Sequence, residues 1–171
     1  WQAAFSEYQK YPEYQKVNLG MTLEAFKGIY WMEYAHRMLG RAIGVVFFVP
    51  YVYFLLTRRL GGTLAARLAI VFLLGALQGL LGWYMVKSGL VSDPEVSPYR
   101  LTAHLGLAVA IYAILLWLAL GRAARPHAFA SGLTPVGLRR LAAIVAGLVF
   151  LTVLSGGFVA GNDAGLAYNN F

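Results

Sequence analysis

Four apolar stretches, each near the length of a bilayer-spanning helix, decide what this chain can become. A bilayer's hydrocarbon core takes ~20 predominantly apolar residues in a helix. Segments 29–57, 64–86, 99–120 and 138–161 meet that requirement, although the first third of 29–57 is mixed. Within lipid every backbone N–H and C=O must be satisfied internally, which leaves helices or closed barrels. The alternation of apolar and polar residues that a barrel requires is absent. The expected fold is therefore all-α, a polytopic transmembrane four-helix bundle. Residues 1–28 are expected as an outer amphipathic loop, 29–161 as the helices, and 162–171 as the start of another outer loop.

Composition supports this where it bears on the point. Hydrophobic residues make up 60% of the chain and charged residues 12%, against about a quarter charged in a soluble domain. A net charge of +7 raises the question of nucleic acid. The basic residues form no Lys/Arg stripe interleaved with aromatics; they cluster between apolar segments, so no nucleic-acid partner is expected. Without cysteine there is no disulfide, thiolate metal site or cysteine nucleophile. The chain starts at Trp1 and stops at Phe171, just beyond an apolar segment. Both ends read as lying inside loops of a longer protein.

Loop charges set orientation, because Lys and Arg favour the cytoplasmic side. The connection after the first span holds Arg58, Arg59 and Arg67, and that before the fourth holds Arg122, Arg125, Arg139 and Arg140, with no acid in either. The N-terminal stretch mixes Lys10, Lys16 and Lys27 with Glu7, Glu13 and Glu24. The middle loop mixes Lys87 and Arg100 with Asp93 and Glu95. The arginine-rich connections are thus expected on the cytoplasmic or matrix side of a bacterial cell membrane or mitochondrial inner membrane. Thr22 suits an N-cap with Glu24 in the first turn, and Tyr30 and Trp31 suit an interfacial belt.

Ionisable residues inside a span are costly and usually functional. The first span carries Glu33, His36, Arg37 and Arg41; the third carries His104; the second carries one amide, Gln78; Asp163 stands at the exit of the fourth. Counting from Ile29 and Tyr99 at 1.5 Å per residue, His36 lies ~10 Å deep and His104 ~7 Å deep, on parallel helices. Two imidazoles at one level can supply both axial ligands of a haem iron. Interhelical packing, a proton relay and another metal stay open at this point, although two histidines alone are too few for zinc. Glu33 shares a helix face with His36. It suits either a base beside a cofactor edge or a salt bridge to Arg37. Arg37 and Arg41 suit haem propionates or simple charge pairing. His127, in a basic loop, reads as solvated. Glycine pairs recur at helical spacing, Gly40/Gly44, Gly75/Gly79 and Gly157/Gly161. They suit close helix packing or room for a flat cofactor.

Four motifs in order carry a family resemblance: EYAHRMLGR, GLLGWYMVKSGL, YRLTAHLGLA and LSGGFVAGNDAGLAYNNF. Together the chain resembles haem A synthase of the mitochondrial and related bacterial branch, over its whole length. The family is an eight-helix membrane oxidoreductase of two four-helix repeats. It converts haem O to haem A, for cytochrome oxidase assembly, by successive hydroxylation of a ring methyl to a formyl group. The resemblance implies that His36 and His104 are the axial pair of the substrate-side repeat and that Glu33 is the acid beside the reacting methyl. It implies one family helix before Trp1. It also implies a second repeat, holding haem b, after Phe171. The helices seen are then family helices two to five, and this chain is expected to be inactive by itself. Another branch carries a cysteine pair in an outer loop, and this chain has none.

Implied partners are haem O, haem A, membrane lipid and an electron donor that the residues do not identify. Haem O synthase is a candidate partner, and a homo-oligomer is compatible. Two other readings compete. A b-type haem electron carrier linked to quinone would use the histidines but has no need of Glu33, and a transporter with an intramembrane His/Glu relay would show no Soret band.

Overall fold

Helix limits in this chain follow from caps and charges as much as from apolar length. The computed structural model describes residues 1–89, 97–123 and 136–165. Its helices are α1 (Gln2–Tyr8), α2 (Pro12–Lys16), α3 (Leu23–Leu56), α4 (Gly62–Gly89), α5 (Pro98–Ala123) and α6 (Val136–Gly161), and no strand occurs among the described residues. The last four are each long and apolar enough to cross a membrane. The chain is an all-α, integral, multi-pass membrane protein.

The expected outer loop is itself partly helical. Pro12 occupies the first turn of α2, with Glu13 beside it and Lys16 in the last turn, the arrangement that the helix dipole favours. Gly20 takes φ +82°, a left-handed turn that glycine enters without strain. Thr22 then caps α3: its backbone is extended and its hydroxyl accepts from the Ala25 N–H at 3.3 Å. The helix thus starts at Leu23 rather than Ile29. The turns before Ile29 carry Glu24 and Lys27, paired at 2.7 Å. His36 lies about 20 Å from the helix start at 1.5 Å per residue, so its ~10 Å depth holds only from a boundary near Ile29.

An aromatic cluster seals this end. Phe26 is 6% exposed and packs on Phe5, Tyr8 and Trp1 at centroid distances of 5.2, 5.0 and 6.5 Å. Such pairs add ~0.5–1.5 kcal/mol each beyond area burial. Asn18 donates to the Tyr8 hydroxyl at 2.8 Å, and burial pushes the Tyr8 phenol above its ordinary value. Lys27 lies 5.7 Å from the Trp1 ring centre.

α3 ends in a left-handed cap. The Arg58 N–H donates to Leu55 O at 3.1 Å and the Arg59 N–H to Phe54 O at 2.9 Å, with Arg58 at φ 55°. This pair of bonds is a Schellman closure, where glycine is preferred. α6 closes the same way through Asp163 at φ 49°, and aspartate tolerates the region better. Arg58→Gly is expected to stabilise the fold by about 1 kcal/mol. Thermal unfolding in detergent checks this; an unchanged or lower Tm would contradict it. Pro50 lies inside α3 and leaves the Val46 carbonyl without its helical donor, a defect that membrane helices accommodate.

The arginines differ from expectation in one respect. Arg67 lies on α4, Arg122 on α5, and Arg139 and Arg140 on α6, so helix ends rather than connections carry much of the basic charge. Arg125, His127, Asp93 and Glu95 fall outside the described residues.

The chain divides into two compact units, Trp1–Val96 and Ser97–Phe171. In the first, Phe72 of α4 stacks on Phe47 at 6.2 Å and packs at a tilt on Phe48 at 5.2 Å, and the Tyr51 hydroxyl donates to Ala65 O at 3.3 Å. In the second, α5 and α6 meet through glycines. A Cβ on Gly157 would stand 2.9 Å from Thr102 Oγ1, one on Gly161 2.7 Å from Pro98 Cα, and one on Gly106 2.8 Å from Leu154 Cδ2.

Candidate functional site

Helical periodicity lays the ionisable residues of α3 along one stripe. Glu33, His36, Arg37, Gly40 and Gly44 recur at three- and four-residue steps and share a face. Phe47 and Tyr51 continue the same face, and they are the residues that pack on α4. On α4, Ala65, Phe72, Gly75 and Gly79 likewise share a face. The stacked Phe47 and Phe72 set the register of this antiparallel hairpin. That register puts Gly44 level with Gly75, and Gly40 level with Gly79.

Glycines at helical spacing suit two backbones in contact. The hairpin does not use them so. A Cβ added at Gly40, Gly44, Gly75 or Gly79 would meet nothing within 4 Å. Close packing thus holds for Gly157 and Gly161 but not for these four. Below them the aromatic plug of Phe47, Phe48 and Phe72 holds α3 to α4. Above them stand His36, Arg37 and Glu33. The four glycines border open space, with the charged side chains of Glu33 and Arg37 on α3 to one side of Gly40.

Within the stripe, Glu33 and Arg37 form an ion pair four residues apart. The plain charge pairing considered for Glu33 is therefore present. Both side chains stay about half exposed, at 46% and 54%, so the carboxylate keeps an accessible oxygen. Arg41 Nη1 approaches Met38 Sδ at 3.7 Å and has no carboxylate partner among the described residues. It is the better placed of the two arginines to receive an anionic group. Lipid is a poor neighbour for this stripe, since a charged side chain at depth in hydrocarbon costs ~2.5–3.5 kcal/mol or more.

His104 belongs to the second unit, on α5, and its Nδ1 is a buried atom. Each histidine is placed within its own unit. Among the described residues no three His, Cys, Asp or Glu side chains converge on one point. Within α3, an imidazole, two arginines that can bind carboxylates and two glycines bordering open space fit a porphyrin iron.

Three residues that matter to this geometry escaped the sequence reading. Pro98, Thr102 and Gly106 form the α5 face that α6 meets. Of these only Pro98, which opens α5, carries a recognisable signal, as proline favours that position.

Comparison with known proteins is consistent throughout the chain. The model of the cytochrome oxidase assembly protein family (COX15-CtaA) matches residues 1–171. The chain is 56% identical to "Heme A synthase" of Nitrosospira multiformis, with 100% of this chain and 48% of the relative covered. It is 51% identical to "Heme A synthase" of Nitrosomonas eutropha over 100% and 48%, and 49% identical to "Heme A synthase COX15" of Arabidopsis thaliana over 100% and 39%. The chain thus spans about half the length of the curated relatives it matches. No solved structure matches it. A family match over every residue, on a chain of four membrane-crossing helices, leaves one conclusion: the protein belongs to the COX15-CtaA family of cytochrome oxidase assembly proteins.

Proposed function

We propose that this chain is the substrate-side half of a haem A synthase. In this reading haem O binds in its glycine-walled space and has a ring methyl oxidised to a formyl group. The observation that carries the reading is the α3 stripe: Glu33, His36, Arg37 and Arg41 lie at depth in a span, and the glycines beside them leave open space. The names of the relatives agree.

His36 and His104 are the axial ligands of the substrate haem. Arg41 takes a propionate, and Arg37 divides its donors between Glu33 and the other propionate. Glu33 stands by the reacting edge, where it accepts protons released from the methyl and stabilises positive charge on that carbon. A low-dielectric surrounding strengthens both effects. The missing length relative to the curated relatives holds a second helical repeat with haem b, and this half alone is inactive. Membranes carrying the full-length protein, when supplied with haem O and an electron partner, are expected to form haem A, read by chromatography of extracted haems. Absence of haem A while an established synthase converts the same haem O would contradict the reading.

A b-type electron carrier is the second reading. Glu33 counts against it, because simple electron transfer has no use for a carboxylate at the haem edge.

The arginine-rich helix ends lie on the cytoplasmic or matrix side, as their charge requires. A cysteine at Gly62 is expected to resist an impermeant thiol reagent added from outside, whereas Asp93→Cys is labelled. The reverse pattern would invert the topology.

A further inference from the structure

We infer that the Gly157–Thr102 contact is a positioning device: it fixes the rotation of α5 about its own axis and so places the His104 imidazole. The inference rests on His104 being an axial ligand, as proposed above.

Pro98, Thr102, Leu105 and Gly106 of α5 lie where glycines or Leu154 of α6 approach most closely, with Tyr99 on Phe158 beside them. Their spacing defines one face. At 3.6 residues per turn, His104 lies roughly 140° round the helix from the centre of that face. Clamp and ligand therefore occupy nearly opposite sides of α5. A side chain ~6 Å from the axis moves roughly 1.5 Å when its helix turns by about 15°. Functional geometry tolerates ~0.5 Å, so the face that sets rotation also sets the ligand.

The contact leaves little play. A Cβ at Gly157 would stand 2.9 Å from Thr102 Oγ1, 3.2 Å from Thr102 Cα and 3.4 Å from Leu105 Cδ2. One of these neighbours is backbone, which cannot swing aside. Threonine is β-branched and stiff at χ1. Thr102 is 6% exposed, and its hydroxyl oxygen has no hydrogen-bond partner among the described residues. The close Gly157 backbone offers it only a weak C–H donor. Shape rather than hydrogen bonding thus explains this residue. Gly106 differs, since its near neighbour is the movable end of Leu154. Gly156 differs more: a Cβ there meets nothing within 4 Å, although it adjoins Gly157 on the same helix.

Those adjacent glycines supply a matched test in the haem-loaded full-length protein. Gly156→Ala and Gly157→Ala each add one methyl to α6 with the same gain in helix propensity. Ferric low-spin electron paramagnetic resonance reads the mutual orientation of the axial imidazoles. Gly156→Ala is expected to keep the native g values. Gly157→Ala is expected to shift the largest g value, or convert part of the signal to high spin, with about a tenfold fall in kcat at unchanged haem content. Thr102→Ala added to Gly157→Ala removes the hydroxyl that the new methyl meets most closely and is expected to move the signal back toward the native one. Identical signals from the two alanine variants would overturn the inference, as would a Gly157→Ala shift that Thr102→Ala leaves uncorrected. If Gly157→Ala fails to accumulate, Thr102→Ala alone decides: a broadened signal supports the clamp and a native one overturns it. His104→Ala separates this from the underlying reading. A low-spin signal of the substrate haem that survives it removes His104 as ligand, whereas its loss beside a native Gly157→Ala signal removes only the clamp.

Discussion

Glu33→Gln, made in the full-length enzyme, is expected to leave haem O bound and to lower haem A output about a hundredfold or more. General acid–base groups contribute ~10²–10⁴-fold, so loss of the carboxylate's charge and basicity should register on that scale. The substitution preserves size and polarity. Haem O, or a partly oxidised haem, should accumulate on the protein. The Arg37 pairing supplies the rival outcome. If pairing were the whole role of Glu33, the variant would lose some yield and still make haem A. Chromatography of the extracted haems separates the two, and normal haem A production would end the catalytic assignment.

Loss of either axial imidazole is the other large effect. His36→Ala and His104→Ala are each expected to abolish the six-coordinate low-spin spectrum of the substrate haem. The remaining histidine would leave a five-coordinate, high-spin site that sheds its haem during purification. Both single variants retaining the low-spin spectrum would remove the ligand pair. One variant retaining it would remove that residue alone.

Much of the fold is readable from residue order because a bilayer restricts the choices so severely. The limits of α4, α5 and α6 follow the apolar lengths to within a turn. Thr22 and Glu24 mark the start of α3, yet apolar length alone places it at Ile29, since a helix continues into water wherever caps and charges support it. The aromatic cluster around Phe26 is invisible to periodicity, because Phe5 and Tyr8 come from α1 and Phe26 from α3. The candidate site divides in the same way. Glu33, His36, Arg37, Arg41 and His104 stand out because charge and imidazole are rare in a span. Glycine pairs look alike in sequence. Only the structure separates Gly157, pressed on Thr102, from Gly40 and Gly79, which border open space. Thr102 carries no signal at all, as a threonine in a helix can face anywhere.

The most direct measurement is identification of the pigment held by the purified full-length protein. Acid–acetone extraction and chromatography are expected to recover haem O or haem A beside haem b, with the haem O and haem A share lost in His36→Ala and His104→Ala. Haem b alone, from protein purified out of membranes that contain haem O, would contradict the synthase reading and favour an electron carrier.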